Sequence, residues 1–289
     1  MQSDPRLQPL ATPLSRRAFL RAGSASLLAA GISACAPALL SPTPSSTPAA
    51  SLTPSPLPTI TPQPTPTFSP DQLPALVSEA EAAFLASHEI LRGDTSRPVM
   101  LMTYDDIAKL SQVEVILEGY RQVAGARATF FLIGEKILPS SKVVRRIAEE
   151  GHLIGLHGYS HLPLTTRKDD SIRRELDNSI RALYQVLPGY RPRFIRFPYG
   201  DGVNDPHLLE LSAEFGLQHV YWSTGSGGLS RGTKDLVLSK AANGQIVLSH
   251  MHREFDISQA GDIVKGLNAL GYSLETLETG RAPKDIFPG

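Results

Sequence analysis

The chain has no charge imbalance and almost no cysteine. Lys and Arg number 28, and Asp and Glu also number 28, so the formal net charge is zero. Proteins that bind nucleic acid usually carry a strongly basic face, and this balance gives no sign of one. A single cysteine excludes an intrachain disulfide and any zinc site built from several cysteines. A metal site here must therefore use His and carboxylate ligands.

Proline is in excess, and its distribution divides the sequence. Of the 24 prolines, 12 fall between residues 36 and 74, in a tract of Pro, Ser, Thr and Ala. Such a tract cannot form an apolar core and favours an extended spacer. We therefore predict a disordered Pro/Ser/Thr-rich linker over residues 35–74.

The segment before this linker is typical of an export signal. Arg16 and Arg17 precede Phe-Leu and the uncharged stretch 22–34, which is too short to span a bilayer. This order resembles a twin-arginine signal, and the alternative is an ordinary cytosolic N-terminus. Cys35 follows Ile-Ser-Ala, as in a bacterial lipobox. We predict a signal over residues 1–34 and a lipid anchor at Cys35 on the outer face of the cytoplasmic membrane; ordinary cleavage would instead give a secreted protein.

The rest of the chain alternates apolar runs with helical stretches. Apolar spacing from Asp71 to Arg92 predicts an N-terminal helix, within a segment that we bound at 75–97, and a folded domain follows over residues 98–289. Alternation indicates parallel β/α architecture, and about 190 residues allow curvature into a barrel. The predicted strands are 99–104, 128–133, 152–156, 193–197, 219–222, 246–248 and 272–277.

Unusual polar residues follow four of these strands. Each group alone has an ordinary explanation, such as a helix cap, a structural ion pair or a buried histidine. Carboxyl ends of parallel strands meet on one face, so the joint placement favours an active site. Two imidazoles and a carboxylate suit a catalytic metal, an adjacent Asp can serve as a base, and another His can serve as an acid. The pattern predicts metal-assisted hydrolysis of an amide or ester. The groups are Asp105-Asp106, His157 with His161, Arg196–Gly200 and Leu248–His250.

The order of these motifs resembles the polysaccharide deacetylases with the NodB homology domain, carbohydrate esterase family 4. The resemblance covers about residues 98–278. It implies a distorted (β/α) barrel of about seven parallel strands and removal of N- or O-acetyl groups from a polysaccharide. The matching phrases are Thr103–Asp106, Ala128–Gly134, Gly151–Gly155, His157–His161, Arg196–Gly200 and Ile246–His250.

The resemblance also implies a role for each residue. It makes Asp105 the catalytic base, oriented by Arg196, and His250 the general acid. It assigns the oxyanion to the backbone N–H of Tyr199. The ligands of a divalent metal, for which zinc is preferred, would be Asp106, His157 and His161. The substrate contacts would be Leu248, which lines the acetyl pocket, with Tyr199 and Trp222.

The chain departs from the family pattern at three places. Ile107 replaces a glycine after the paired aspartates, which would shift that loop or narrow the groove. Gly158 replaces Ser or Thr and removes a hydrogen bond near the metal. The Asp-rich fourth motif should fall within residues 221–229, which contain no carboxylate. In the family, that Asp supports the acid, so we expect a weaker proton affinity at His250.

Glu254 or Asp256 could replace that carboxylate, and the sequence leaves this open. We predict a monomeric, cell-surface deacetylase that acts on peptidoglycan or a chitin-like polymer, with an O-acetyl esterase as the near neighbour. The alternative is a catalytically impaired surface lipoprotein that binds glycan.

Overall fold

The computed structural model describes residues 77–288. The predicted signal, Cys35 and the predicted linker lie outside these residues. Among the helices of residues 77–288, none is both long enough and apolar enough to cross a membrane.

One curved sheet of eight parallel strands carries the fold, in the order β5-β4-β3-β2-β1-β7-β6, with β8 beside the start of β1. The strands are β1 (Val99–Asp105), β2 (Thr129–Leu132), β3 (Leu153–Leu156), β4 (Phe194–Ile195), β5 (Gln218–His219), β6 (Thr224–Gly225), β7 (Gln245–His250) and β8 (Ser273–Leu274). The helices are α1 (Glu79–Ser87), α2 (Leu110–Arg121), α3 (Gly134–Ile137), α4 (Ser141–Glu149), α5 (Asp169–Val186), α6 (Pro206–Ala213), α7 (Thr233–Ser239), α8 (Glu254–Ser258), α9 (Ala260–Ala269) and α10 (Leu277–Gly280). Short 3-10 turns lie at Pro198–Gly200 and Pro283–Asp285.

The predicted strand 219–222 overlaps only β5, and β6 lies just beyond it as a strand that was not predicted. β5 pairs with β4, β6 pairs with β7, and the chain between them passes from one edge to the other. Ile90 lies against the β5 edge, where its N–H donates to the His219 carbonyl at 2.9 Å and its carbonyl accepts from Tyr221 N–H at 2.9 Å. Eight strands therefore replace the expected seven, because a local apolar run cannot reveal a change of partner.

Within the described residues, the N-terminal helix ends earlier than predicted. The hydroxyl of Ser78 caps its start by accepting from the N–H of Glu81 at 3.1 Å, and the helix ends at Ser87. The chain leaves the helix because Ile90 pairs with the edge of the sheet.

Alternation along β1 sorts its side chains between two apolar clusters. Met100 and Met102 belong to the larger cluster, which includes apolar residues of α2, α4, α5 and α9. Val99 and Leu101 belong to a smaller cluster with Phe131. Since side chains alternate between faces, the later odd-numbered residues of β1 share the face of this smaller cluster. That face carries the candidate site.

Candidate active site

Two neighbouring strands bring the proposed base and acid together. Asp105 ends β1, His250 ends β7, and the two residues are paired in register. Two residues earlier on each strand, Thr103 pairs with Leu248. Because side chains alternate between the two faces of a sheet, these four side chains share one face.

A buried hydrogen-bond network holds Asp105. Arg196 is 0% exposed, and its Nη1 donates to Asp105 Oδ1 at 2.8 Å and to Thr103 Oγ1 at 2.7 Å. Its Nε and Nη2 donate to the carbonyls of Val220 at 3.2 Å and Tyr221 at 3.0 Å. Buried charges are tolerated when they are paired and hydrogen-bonded, and both conditions hold here. The network therefore fixes the orientation of the Asp105 carboxylate.

Asp106, His157 and His161 form a group that suits a divalent metal ion. Their donor atoms all lie within 4.8 Å of one another. Asp106 Oδ1 is 3.4 Å from His161 Nε2 and 4.0 Å from His157 Nε2. His157 Nδ1 contacts the Arg196 carbonyl at 2.8 Å, which leaves Nε2 as the donor atom. Burial and, secondly, His157 lower the pKa of His161, which favours the neutral imidazole that a metal requires.

The backbone around this group is unusual. Asp106, His161 and Tyr199 have φ values of 76°, 56° and 63°, in the left-handed region that non-glycine residues seldom adopt. Such conformations persist only where the surroundings fix them, and they collect at functional sites. Ile107, one of the three departures from the family pattern, packs against the larger core cluster directly after Asp106.

Glu175 fixes the loop between His157 and His161. Its Oε2 accepts the N–H groups of Tyr159 at 2.9 Å and Ser160 at 2.8 Å, and its Oε1 accepts the Ser160 hydroxyl at 2.6 Å. Gly158 has a φ of 68°, and an added Cβ would lie 3.3 Å from Pro198 Cγ. The loop is therefore held from Glu175 on α5. Sequence reasoning did not find Glu175, whose only signal was an acidic residue among the buried positions of an amphipathic helix.

The acid side of the site has fewer contacts. His250 Nδ1 is buried and has no hydrogen-bond partner among the described residues. Burial lowers the pKa of His250 to about 4, and the neighbouring Asp105 carboxylate opposes that shift. Glu254 is exposed, while Asp256 is buried and accepts the backbone N–H of His250 at 2.8 Å. The Asp256 carboxylate therefore contacts the predicted acid, His250, at the peptide N–H of His250 and not at its imidazole.

The predicted substrate residues line different parts of the site. Tyr199 is 70% exposed, and its hydroxyl lies 3.2 Å from His161 Nδ1. Leu248 is half-buried on the face that carries His250. Trp222 stacks on Tyr221 with ring centroids 3.9 Å apart, and its ring centroid lies 5.8 Å from the Arg196 guanidinium carbon. Leu248 therefore lines the wall near the acid, whereas Trp222 lies beside the arginine.

Two further residues at the site were not singled out from the sequence. Thr103 joins the Arg196 network and donates from its hydroxyl to the Val247 carbonyl at 2.7 Å. His252 Nδ1 lies 2.9 Å from Asp106 Oδ2. Side chains of a strand alternate between two faces, so the sequence could have shown that Thr103 lies on the same face as Asp105. The position of His252, two residues beyond the strand, gave none.

Comparison with known proteins decides the family. A sequence profile described as polysaccharide deacetylase matches residues 92–220. The peptidoglycan-N-acetylglucosamine deacetylase of Bacillus cereus is 32% identical over 193 residues, which cover 64% of this chain and 69% of that protein. The chain belongs to the polysaccharide deacetylase family. The predicted family and its class of reaction, hydrolytic deacetylation, are therefore confirmed.

Solved structures agree with the fold of this deacetylase. The crystal structure of the Bc1960 peptidoglycan N-acetylglucosamine deacetylase superposes with a TM-score of 0.62 at 30% identity, covering 67% of this chain and 92% of that one. The peptidoglycan deacetylase PdaC of Bacillus subtilis gives a TM-score of 0.57 at 26% identity, covering 64% of this chain and 92% of that chain. The predicted (β/α) barrel is confirmed, although its sheet stays open between β5 and β6 among the described residues.

Proposed function

We propose that this chain is an exported enzyme that removes N-acetyl groups from peptidoglycan. The B. cereus relative is named for peptidoglycan N-acetylglucosamine, and the B. subtilis relative PdaC is named for peptidoglycan N-acetylmuramic acid. The observation that carries the proposal is the pairing of Asp105, held by Arg196, with His250 beside the three donor groups of Asp106, His157 and His161.

The residues divide the reaction between them. A divalent ion held by the three donor groups, zinc by preference, would polarise the acetyl carbonyl and lower the pKa of water. Arg196 occupies Asp105 Oδ1, so we assign Oδ2 to accept the proton of the attacking water. His250 Nδ1 is buried, so Nε2 would donate the proton to the departing amine. The Tyr199 N–H would stabilise the oxyanion, and acetate and a free amine result.

Acetate release tests this proposal. The full chain is incubated with peptidoglycan, N-acetylated chitooligosaccharides and O-acetylated xylan, before and after chelation, and zinc is then added back. We expect release from peptidoglycan that chelation abolishes and zinc restores. Release from xylan alone would support the esterase instead. Glycan binding without acetate from any substrate would support the impaired binding protein.

The proposed location of the protein at the cell surface depends on its N-terminal segment. The proposed lipid at Cys35 predicts that the precursor is processed and that the mature chain sediments with membranes. Cys35→Ala is expected to move the protein to the soluble fraction, whereas Ser41→Ala in the linker should not. Unchanged membrane association of Cys35→Ala would contradict the anchor. Gel filtration of the anchor-free form tests the predicted monomer.

A further inference from the structure

The side chain of Asp256 contacts the segment 221–229, where the family pattern places a carboxylate and this sequence has none. Asp256 lies on α8, is 1% exposed, and reaches back to this segment. Its Oδ1 accepts the Ser226 hydroxyl at 2.5 Å, and its Oδ2 accepts the His250 N–H at 2.8 Å. One buried side chain therefore joins that segment to the end of β7.

The short length of β6 explains why this contact is needed. Backbone N–H groups of a central parallel strand point alternately to its two neighbours. Met251 N–H donates to the Asp105 carbonyl of β1, so the N–H of His250 points to the other side, towards β6. β6 ends at Gly225, Ser226 N–H still donates to the Leu248 carbonyl at 2.9 Å, and the His250 N–H bonds to Asp256 Oδ2 instead of continuing the ladder. A buried N–H requires an acceptor, and Asp256 supplies it.

Close packing keeps Asp256 in this position. Gly228 has a φ of 57°, and a Cβ at that residue would collide with Asp256 Oδ2. Phe255 N–H donates to the Gly228 carbonyl at 3.3 Å, and Arg253 Nη1 donates to the Gly227 carbonyl at 3.4 Å. These contacts tie α8 to the loop after β6.

We propose that Asp256 is a positioning residue for the general acid His250, which it holds through the peptide N–H instead of through the imidazole. This inference rests on the proposed deacetylase function, because it assigns His250 the role of acid. The ring Nδ1 has no partner among the described residues, so the backbone at residue 250 governs where Nε2 points. The carboxylate of Asp256 acts here as a hydrogen-bond acceptor.

Two substitutions separate this role from that of a charged partner. Asn at position 256 has the same shape, and its oxygen can accept the His250 N–H while its amide donates to the Ser226 hydroxyl. Ala removes both contacts. Misplacing a reacting group by about 1 Å can cost about 100-fold. We therefore expect kcat to fall about 100-fold in Asp256→Ala and less than about tenfold in Asp256→Asn, with KM changed little in both.

The matched control is Glu254→Ala, which removes an exposed acidic residue of the same helix and should leave kcat unchanged. Circular dichroism and zinc affinity show whether each variant is folded and whether its metal site is intact. Equal loss in Asp256→Asn and Asp256→Ala, with both folded, would overturn the proposal because charge would then matter. Full activity of Asp256→Ala would also overturn it.

A measurement without substrate keeps this inference separate from the proposed function. The imidazole Cε1–H signal of His250, assigned by its loss in His250→Gln, reports the surroundings of the ring in NMR spectra. We expect this signal to shift and broaden in Asp256→Ala and to stay near its wild-type position in Asp256→Asn. An unmoved signal in Asp256→Ala would overturn the positioning role. A wild-type chain that releases no acetate would overturn only the deacetylase proposal.

Discussion

The two sides of the site are built in opposite ways. On one side, Asp105 is held by Arg196, a fully buried arginine whose contacts also reach Thr103 and two backbone carbonyls. On the other side, His250 has a buried Nδ1 without a partner among the described residues, and only its peptide N–H is held by a side chain. The first side is a satisfied buried ion pair; the second is an imidazole kept neutral by burial.

The difference separates a side chain held by an ion pair from one held only through its backbone N–H. A paired arginine keeps a carboxylate oriented, so the function of Asp105 depends on the integrity of the Arg196 network. The His250 imidazole, whose Nδ1 has no partner among the described residues, responds to charges placed near it; burial is the largest cause of its lowered pKa, and the Asp105 carboxylate opposes that shift. Changes in the arginine network should therefore lower kcat, whereas a charge added beside the His250 imidazole should shift the pH dependence of activity.

The largest expected effect comes from removing the proposed base, Asp105. Asp105→Asn keeps the shape of the side chain but accepts no proton, so we expect kcat to fall by about 10²- to 10⁴-fold. Chelator competition should show nearly unchanged zinc affinity, because the proposed ligand group of Asp106, His157 and His161 does not include Asp105. A rate within tenfold of wild type would assign the base to another group.

The next effect comes from loosening the arginine network. A lysine at position 196 cannot donate to Asp105, Thr103 and the carbonyls of Val220 and Tyr221 together. A buried polar group left unsatisfied costs about 1–3 kcal/mol. We expect Arg196→Lys to lower both the melting temperature and kcat, the latter by about 10- to 100-fold.

Arg253→Lys is the matched control for this effect. Arg253 is partly exposed on the acid side, with one contact of 3.4 Å to the Gly227 carbonyl. It should change kcat by less than about threefold. Equal damage from both substitutions would remove the contrast between the two sides.

A pH profile examines the acid side. A general acid must be protonated, and burial lowers the pKa of His250 to about 4, so the protonated fraction falls at lower pH than for an ordinary histidine. The alkaline limb of kcat/KM should therefore lie at lower pH than in relatives that retain the Asp of the fourth motif. A limb at the same pH would contradict this expectation.

Adding a carboxylate near His250 should move the alkaline limb of kcat/KM to higher pH. Gly225 pairs in register with Leu248, which shares its face with His250, and an added Cβ there meets no atom within 4 Å. Gly225→Asp places a negative charge on that face, so we expect the limb to rise by about one pH unit. Gly225→Asn has the same shape without the charge and should leave the limb in place. A shift in both variants would refute an electrostatic cause.

Sequence reasoning predicted the parts of the candidate site that belong to single strand ends. Asp105, His157 and His250 each follow an apolar run, and parallel β/α topology brings such ends together. It missed contacts that depend on tertiary distance, such as Glu175 on α5 and the exchange of strand partners between β5 and β6. The choice between Glu254 and Asp256 also required the structure, because only their burial in a five-residue helix distinguishes them.

The smallest expected effect concerns His252, which lies between the two sides. Its Nδ1 is 2.9 Å from Asp106 Oδ2, while Asp106 Oδ1 faces His161, so the imidazole can orient the carboxylate towards the metal site. Partners of metal ligands typically contribute about 10- to 100-fold in affinity. The side chain of His252 is 54% exposed, so water can replace much of its contribution. We therefore expect His252→Ala to weaken zinc binding by only about threefold to tenfold, measured by chelator competition.

His207→Ala is a closely matched control, since His207 is 57% exposed and contacts Asp169 at 2.9 Å away from the ligand group. That substitution removes a similar exposed imidazole–carboxylate contact and should leave zinc affinity unchanged. Equal weakening in both variants would show that a general loss of stability, and not orientation of Asp106, lowers the affinity. A 100-fold loss confined to His252→Ala would show instead that the imidazole itself binds the metal, and the acid side of the site would then hold a ligand as well as a proton donor.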